Sequence, residues 1–95
     1  MHMLPGVALM DVTVIWDDEP GGNVEHVAEH GLTPDEVDGD LLDDSIPTAY
    51  SSSTGRPCKF GYTSTGKHII VVWDEVCDDP RMIYPATAYE VPEPS

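Results

Sequence analysis

The amino-acid sequence predicts an α+β domain in which two short helices pack on an antiparallel β-sheet, in the element order β-α-α-β-β-β-β. Three observations lead there. An alternating stretch "DVTVIW" lies near the start, and a double helix signal "NVEHVAEHGLTPDEV" follows it. From Ile46 onward, β-branched and aromatic runs are separated by turn residues. With 95 residues and 40% hydrophobic content, the chain suits a single domain with a thin core. Residues 1–10 are expected as a frayed leader and 92–95 as a tail.

In "DVTVIW", Val12, Val14 and Trp16 fall on one side and Thr13 and Ile15 on the other, the pattern of a half-buried strand. The cluster "DDEPGGN" stops it. Asn23 is the expected N-cap of a first helix, and Gly31 occupies the place where a helix C-terminus favours a left-handed residue; together they bracket Val24 to His30. The apolar positions of this helix are Val24, Val27 and Ala28, and Leu32 follows the glycine, placed for the hydrophobic contact that accompanies such a cap. In "TPDE", Thr33 is an N-cap, Pro34 the first helical residue and Glu36 the third, which forms a capping box and sets two acids on the positive end of the helix dipole. This second helix is expected to run to about Leu42 and to bury Val37 and Leu41, with Leu42 a further candidate.

The remainder reads as strands and turns. "IPTAYSSS" is a weak strand, "RPCKFGY" a better one, "TSTG" a turn, "KHIIVVWDEV" a strong strand, "CDDP" a turn, and "RMIYPATAYEV" a last strand interrupted by Pro85. A four-residue turn over Thr63–Gly66 pairs Tyr62 with Lys67. That register puts Cys58, Phe60, Tyr62, Ile69, Val71 and Trp73 on the helix-packed face, and Lys59, Gly61, His68, Ile70 and Val72 on a half-polar one. Cys58 then faces Val71 and lies ~20 Å from Cys77 at strand rise, so no disulfide is expected. Trp16 and Trp73 read as core, because each stands in apolar alternation.

Eighteen acidic residues against four basic ones give a net charge of -14, and a surface of that sign repels nucleic-acid phosphates. The acids are spread between hydrophobic runs, as in a folded chain and not a disordered tail. No apolar run reaches the ~18 residues of a membrane span, and "MHMLPGVALM" lacks the basic flank of a signal peptide; with two unpaired cysteines, a cytoplasmic protein is expected.

Three stretches carry a family resemblance: "IWDDEPGGN", "EHGLTPDEV", and a C-terminal meander with "GR", "GYTSTGKHIIVVW" and "TA". In element order and spacing they resemble the BrnT-like toxins of the RelE-like fold over most of Val14 to Val91. The resemblance implies a curved antiparallel sheet, a bacterial cytosolic setting, ribonuclease activity in some members and neutralisation by a DNA-binding antitoxin. His30, Arg56 and Arg81 sit on positions similar to the toxins' polar set and are the candidate catalytic residues. Glu29 stands where those toxins have a lysine, and Tyr89 where arginine is common.

Metal-independent RNA cleavage needs a base, an acid and cations around the phosphorane. His30 and His68 could move protons, and Arg56, Lys59 and Arg81 could supply charge, yet neutralising a few phosphates would consume every cation present. His26 and His30 share a helix face, but two ligands do not make a metal site and "HVAEH" is not HExxH, so no metal is expected. No phosphate-cradling loop or activated nucleophile is present in the sequence, and no cofactor is expected. The expectation is therefore a non-catalytic protein-binding module of this fold, with a ribonuclease toxin of a type II toxin–antitoxin pair as the alternative. Its surface would include Lys59, His68, Tyr84 and Tyr89. Its partner would be a second copy, as a homodimer, or a basic antitoxin-like protein.

Overall fold

A computed structural model describes residues 12–93, so the leader expected over 1–10 and the end of the tail lie outside the described residues. The elements are β1 (Thr13–Val14), α1 (Asn23–Glu29), α2 (Pro34–Leu41), β2 (Ala49–Tyr50), β3 (Pro57–Tyr62), β4 (His68–Asp78) and β5 (Arg81–Glu90). The five strands form one sheet in the order β1-β5-β4-β3-β2. The class is α+β with the expected element order, but the sheet is mixed: β1 runs parallel to β5, and the other pairings are antiparallel.

α1 ends as its sequence dictates. Leu32 N–H donates to Val27 O (3.0 Å) and Gly31 N–H to Ala28 O (2.9 Å), with Gly31 at φ +77°. This is a Schellman cap, and its hydrophobic contact joins Val27 to Leu32, both buried. Ala28, expected on the apolar side, is exposed. At the other end, Asn23 is not the N-cap. Gly22 holds that place, and Asn23 is fully buried as the first helical residue. Its amide donates to Ile15 O (2.9 Å) and Pro85 O (3.0 Å), while its carbonyl accepts from Asp17 N–H (2.7 Å). One side chain thus continues the ladder where β1 stops pairing with β5, a demand set by residues far away in sequence.

α2 begins with the predicted capping box: Thr33 Oγ1 accepts from Glu36 N–H (3.3 Å), and Glu36 Oε1 accepts from Thr33 N–H (3.1 Å). The same carboxylate holds the β3–β4 loop, accepting from Thr65 Oγ1 (2.8 Å), and Lys67 Nζ donates to Gly31 O (2.8 Å) at the helix corner. Val37 and Leu41 are buried, whereas Leu42 is the C-cap and half exposed.

The core is the cluster Val27, Leu32, Val37, Leu41, Ile69, Val71, Trp73, Ile83 and Ala88, with Val12, Val14 and Trp16 packed against it. Each large aliphatic or aromatic side chain so buried contributes about 1.5–3 kcal/mol. Trp73 is a core residue as expected, whereas Trp16, past the end of β1, is only partly buried against the core; each indole N–H is used, Trp16 Nε1 donating to Asp38 (2.9 Å) and Trp73 Nε1 to Glu75 (3.0 Å). Pro85 sits beside a bulge: Val72 pairs with Thr87 and Trp73 with Pro85, leaving Ala86 as the extra residue.

The β3–β4 register differs from expectation by one residue. Tyr62 pairs with His68, Phe60 with Ile70 and Cys58 with Val72. The reason lies in the loop. Gly66 N–H returns to Thr63 O (3.0 Å) and Thr63 N–H donates to Lys67 O (2.8 Å), with Gly66 at φ +90°. A turn closed by a left-handed glycine takes in one more residue than the four counted from sequence. A slip of one turns every β3 side chain to the other face. Phe60 and Tyr62 therefore leave the core, while Lys59 and Gly61 enter it.

Candidate functional site: the open sheet face

Both helices pack on one side of the sheet, α1 on β5 and α2 on β3 and β4. Among the described residues no helix covers the other side. The register places Phe60 and Tyr62 of β3 there, beside His68 and Ile70 of β4, with Tyr89 of β5 opposite Ile70. Phe60 is 47% exposed, Tyr62 52% and Tyr89 38%, values at which an aromatic ring offers most of one side to solvent.

These side chains are ordered by one another. The Tyr62 ring lies 4.7 Å from that of His68, and Phe60 lies 6.5 Å from it on the neighbouring strand. His68 Nδ1 is 3.1 Å from Pro92 O, and Tyr62 donates its hydroxyl to Glu93 Oε1 (3.1 Å). That carboxylate raises the Tyr62 phenol above its ordinary range. Phe60, His68, Val91 and Pro92 enclose a depression whose lining is mainly apolar.

The four basic side chains are all engaged within the molecule. Arg56 Nε pairs with Asp74 (3.1 Å), Arg81 with Glu75 (2.7 Å), and Lys67 with Glu36 (3.7 Å). The Glu75 hydrogen bond raises Arg81, and the Arg81 hydrogen bond lowers Glu75. Lys59 is buried and donates to Leu41 O (2.9 Å) and Asp43 O (3.1 Å), satisfying carbonyls at the C-terminus of α2. Beside it Asp40 is 3% exposed, and its Oδ2 has no hydrogen-bond partner among the described residues. Burial pushes Asp40 up to about 6 and Asp43 adds to the shift, while His68 and Lys59 oppose it. A methyl group on Gly61 would lie 2.8 Å from Asp40 Oδ1, so this carboxyl fits only because β3 carries glycine there.

The candidate residues fall into separate groups. His30 is exposed at the end of α1, its ring 5.7 Å from Tyr89. Arg56 and Arg81 are bound to Asp74 and Glu75, adjacent in β4, four and five residues along from Ile70, the partner of Tyr89. That spacing corresponds to roughly 13–17 Å of strand. His30 is thus brought to Tyr89 but not to either arginine. His68 lies on the open face, Lys59 on the opposite one, and Tyr84 is half-buried opposite Asp74. Sequence reasoning missed Phe60 and Tyr62 as surface residues; Gly66, the left-handed closing residue of the loop, was the signal that could have found them.

Both cysteines are free thiols, with Cys58 buried. Among the described residues there is no group of three or more His, Cys, Asp or Glu placed to hold a metal, and no helix long and apolar enough to cross a membrane. Comparison with protein families, with curated proteins and with solved structures finds no match.

Proposed function

We propose that this chain is a non-catalytic protein-binding module whose open sheet face receives a cationic protein partner. The observation that carries the reading is the helix-free surface formed by Phe60, Tyr62, Ile70 and Tyr89, aromatic and aliphatic side chains of the kind enriched at protein interfaces. Charge supports the sign of the partner: with all four cations engaged internally and a net charge of -14, the long-range field attracts a basic protein and opposes a nucleic acid. His30 and His68 lie towards the start of β4 and Arg56 and Arg81 at Asp74 and Glu75 further along it, an arrangement that does not favour ribonuclease chemistry, whose proton-transfer groups and cations must meet in one place. In keeping with the resemblance to BrnT-like toxins, the partner we have in mind is a small basic protein of the antitoxin kind in a bacterial cytosol.

The test is expression of the tagged chain in a bacterial host, following growth, total RNA and retained proteins, beside the double variant Phe60→Ser, Tyr62→Ser. The expected result is normal growth, intact RNA, and a basic protein held by the wild type and lost by the folded variant. Growth arrest with cleaved messages, abolished by His30→Ala or Arg56→Ala, would replace this reading with that of a ribonuclease.

A further inference from the structure

Among the described residues, the open face adjoins an uncovered strand edge: β2 pairs only with Pro57 and Cys58, which leaves β3 outermost there from Lys59 to Tyr62. Hydrogen bonds at its two ends tell which way its main chain points. Thr63 N–H donates inward to Lys67 O, and Arg56 O accepts from Ser51 N–H on the outer side (both 2.8 Å). Alternate residues of an antiparallel strand direct both main-chain groups to the same side, so Cys58, Phe60 and Tyr62 turn outward. Cys58 is met by Ala49; the N–H and C=O of Phe60 and of Tyr62 have no main-chain partner among the described residues.

Folded proteins commonly guard such an edge with lysine, proline or a bulge, and β3 carries none of these there: its lysine is buried, and two exposed aromatics flank the free amides. Carboxylates lie on both sides of the edge, and the one cation among them, Lys59, is buried and held by main-chain carbonyls. Asp43, whose carbonyl holds Lys59, lies on the helix side, and Glu93 binds Tyr62 on the open side. Hydrogen bonds from Ser45 hold the Asp43 carboxyl below its ordinary range, so it is charged at neutral pH.

We infer that the partner is bound by strand addition: an extended segment with alternating cationic and apolar side chains pairs with the outward main-chain groups of Phe60 and Tyr62. This rests on the partner-binding reading above and specifies its mode. An added strand sends successive side chains to opposite faces, so one set meets Asp43 while the other continues the apolar surface of Phe60 and Tyr62. A second copy is the weaker occupant, because β3-to-β3 pairing would bring Asp43 and Glu93 against their counterparts in chains of net charge -14.

The probe is a capped eight-residue peptide alternating lysine and valine, with a control of equal composition in which the lysines precede the valines. Titration of the isotope-labelled full chain at low salt, with amide exchange read residue by residue, should show slowed exchange at the Phe60 and Tyr62 amides for the alternating peptide alone. Methylating alternate peptide nitrogens, on the edge that faces β3, should weaken binding about fivefold for each hydrogen bond lost. Tyr62→Pro, which removes an outward N–H that β4 does not use, should weaken it similarly while the protein stays folded. Shifts on the open face without amide protection would overturn strand addition and leave the binding-module reading standing. Equal binding of both peptides would reduce the interaction to net charge and overturn the inference. Protection of the same amides in the peptide-free chain, rising with its concentration, would give the edge to a second copy. Absence of binding by both peptides would overturn strand addition, while capture of a basic partner dependent on Phe60 and Tyr62 would still support the broader reading.

Discussion

Asp40 makes the stability of this fold depend on pH in a direction opposite to that of most surface carboxylates. It is buried under β3, has no partner at Oδ2 among the described residues, and has its pKa raised from 3.8 to about 6. Between those values the folded chain holds a proton that the unfolded chain has released. The contribution is therefore fully present below the unfolded value and is lost as pH rises through the folded one. A shift from 3.8 to about 6 corresponds to at most about 3 kcal/mol of differential stability. Asp40→Asn removes the titration and keeps the shape. Urea unfolding of wild type and variant at about pH 4 and about pH 7.5 gives a double difference in which the titrating groups not coupled to Asp40 cancel. The wild type should lose about 2–3 kcal/mol relative to the variant between these conditions. A double difference below about 0.5 kcal/mol would rule out a desolvated Asp40, since it would mean that solvent reaches this carboxyl freely.

Three further outcomes follow from the packing. Asn23→Ala strands the Asp17 N–H and the Ile15 and Pro85 carbonyls, and should cost about 3 kcal/mol in urea unfolding; a value below about 1 would mean that water replaces the amide. Gly61→Ala sets a methyl group 2.8 Å from both Asp40 Oδ1 and Ile46 Cδ1. It should destabilise by about 1–3 kcal/mol, whereas in the register that exposes this residue it would be harmless. Gly31→Ala meets no atom within 4 Å, so its cost is that of the left-handed backbone alone, about 1 kcal/mol by thermal or urea unfolding.

The helix corner was legible from residues alone. The capping box of Thr33 and Glu36 and the cap at Gly31 are closed by groups within a few residues of one another, so composition and spacing are sufficient to define them. The strands could likewise be located from apolar alternation. Asn23 shows where that kind of reasoning stops. It has every local attribute of an N-cap, yet its partners include Pro85, 62 positions away, and the buried amide serves the sheet instead of the helix. The candidate site depended on the same kind of distant information. Whether Phe60 and Tyr62 are core or surface turns on a single residue in the β3–β4 loop. That residue is held by the glycine-closed turn and by the contacts of Thr65 and Lys67 with Glu36 and Gly31 across the molecule. Local hydrogen bonding defined the elements; the faces they show to solvent were decided when Gly61 had to lie on Asp40 and Lys59 had to reach the end of α2.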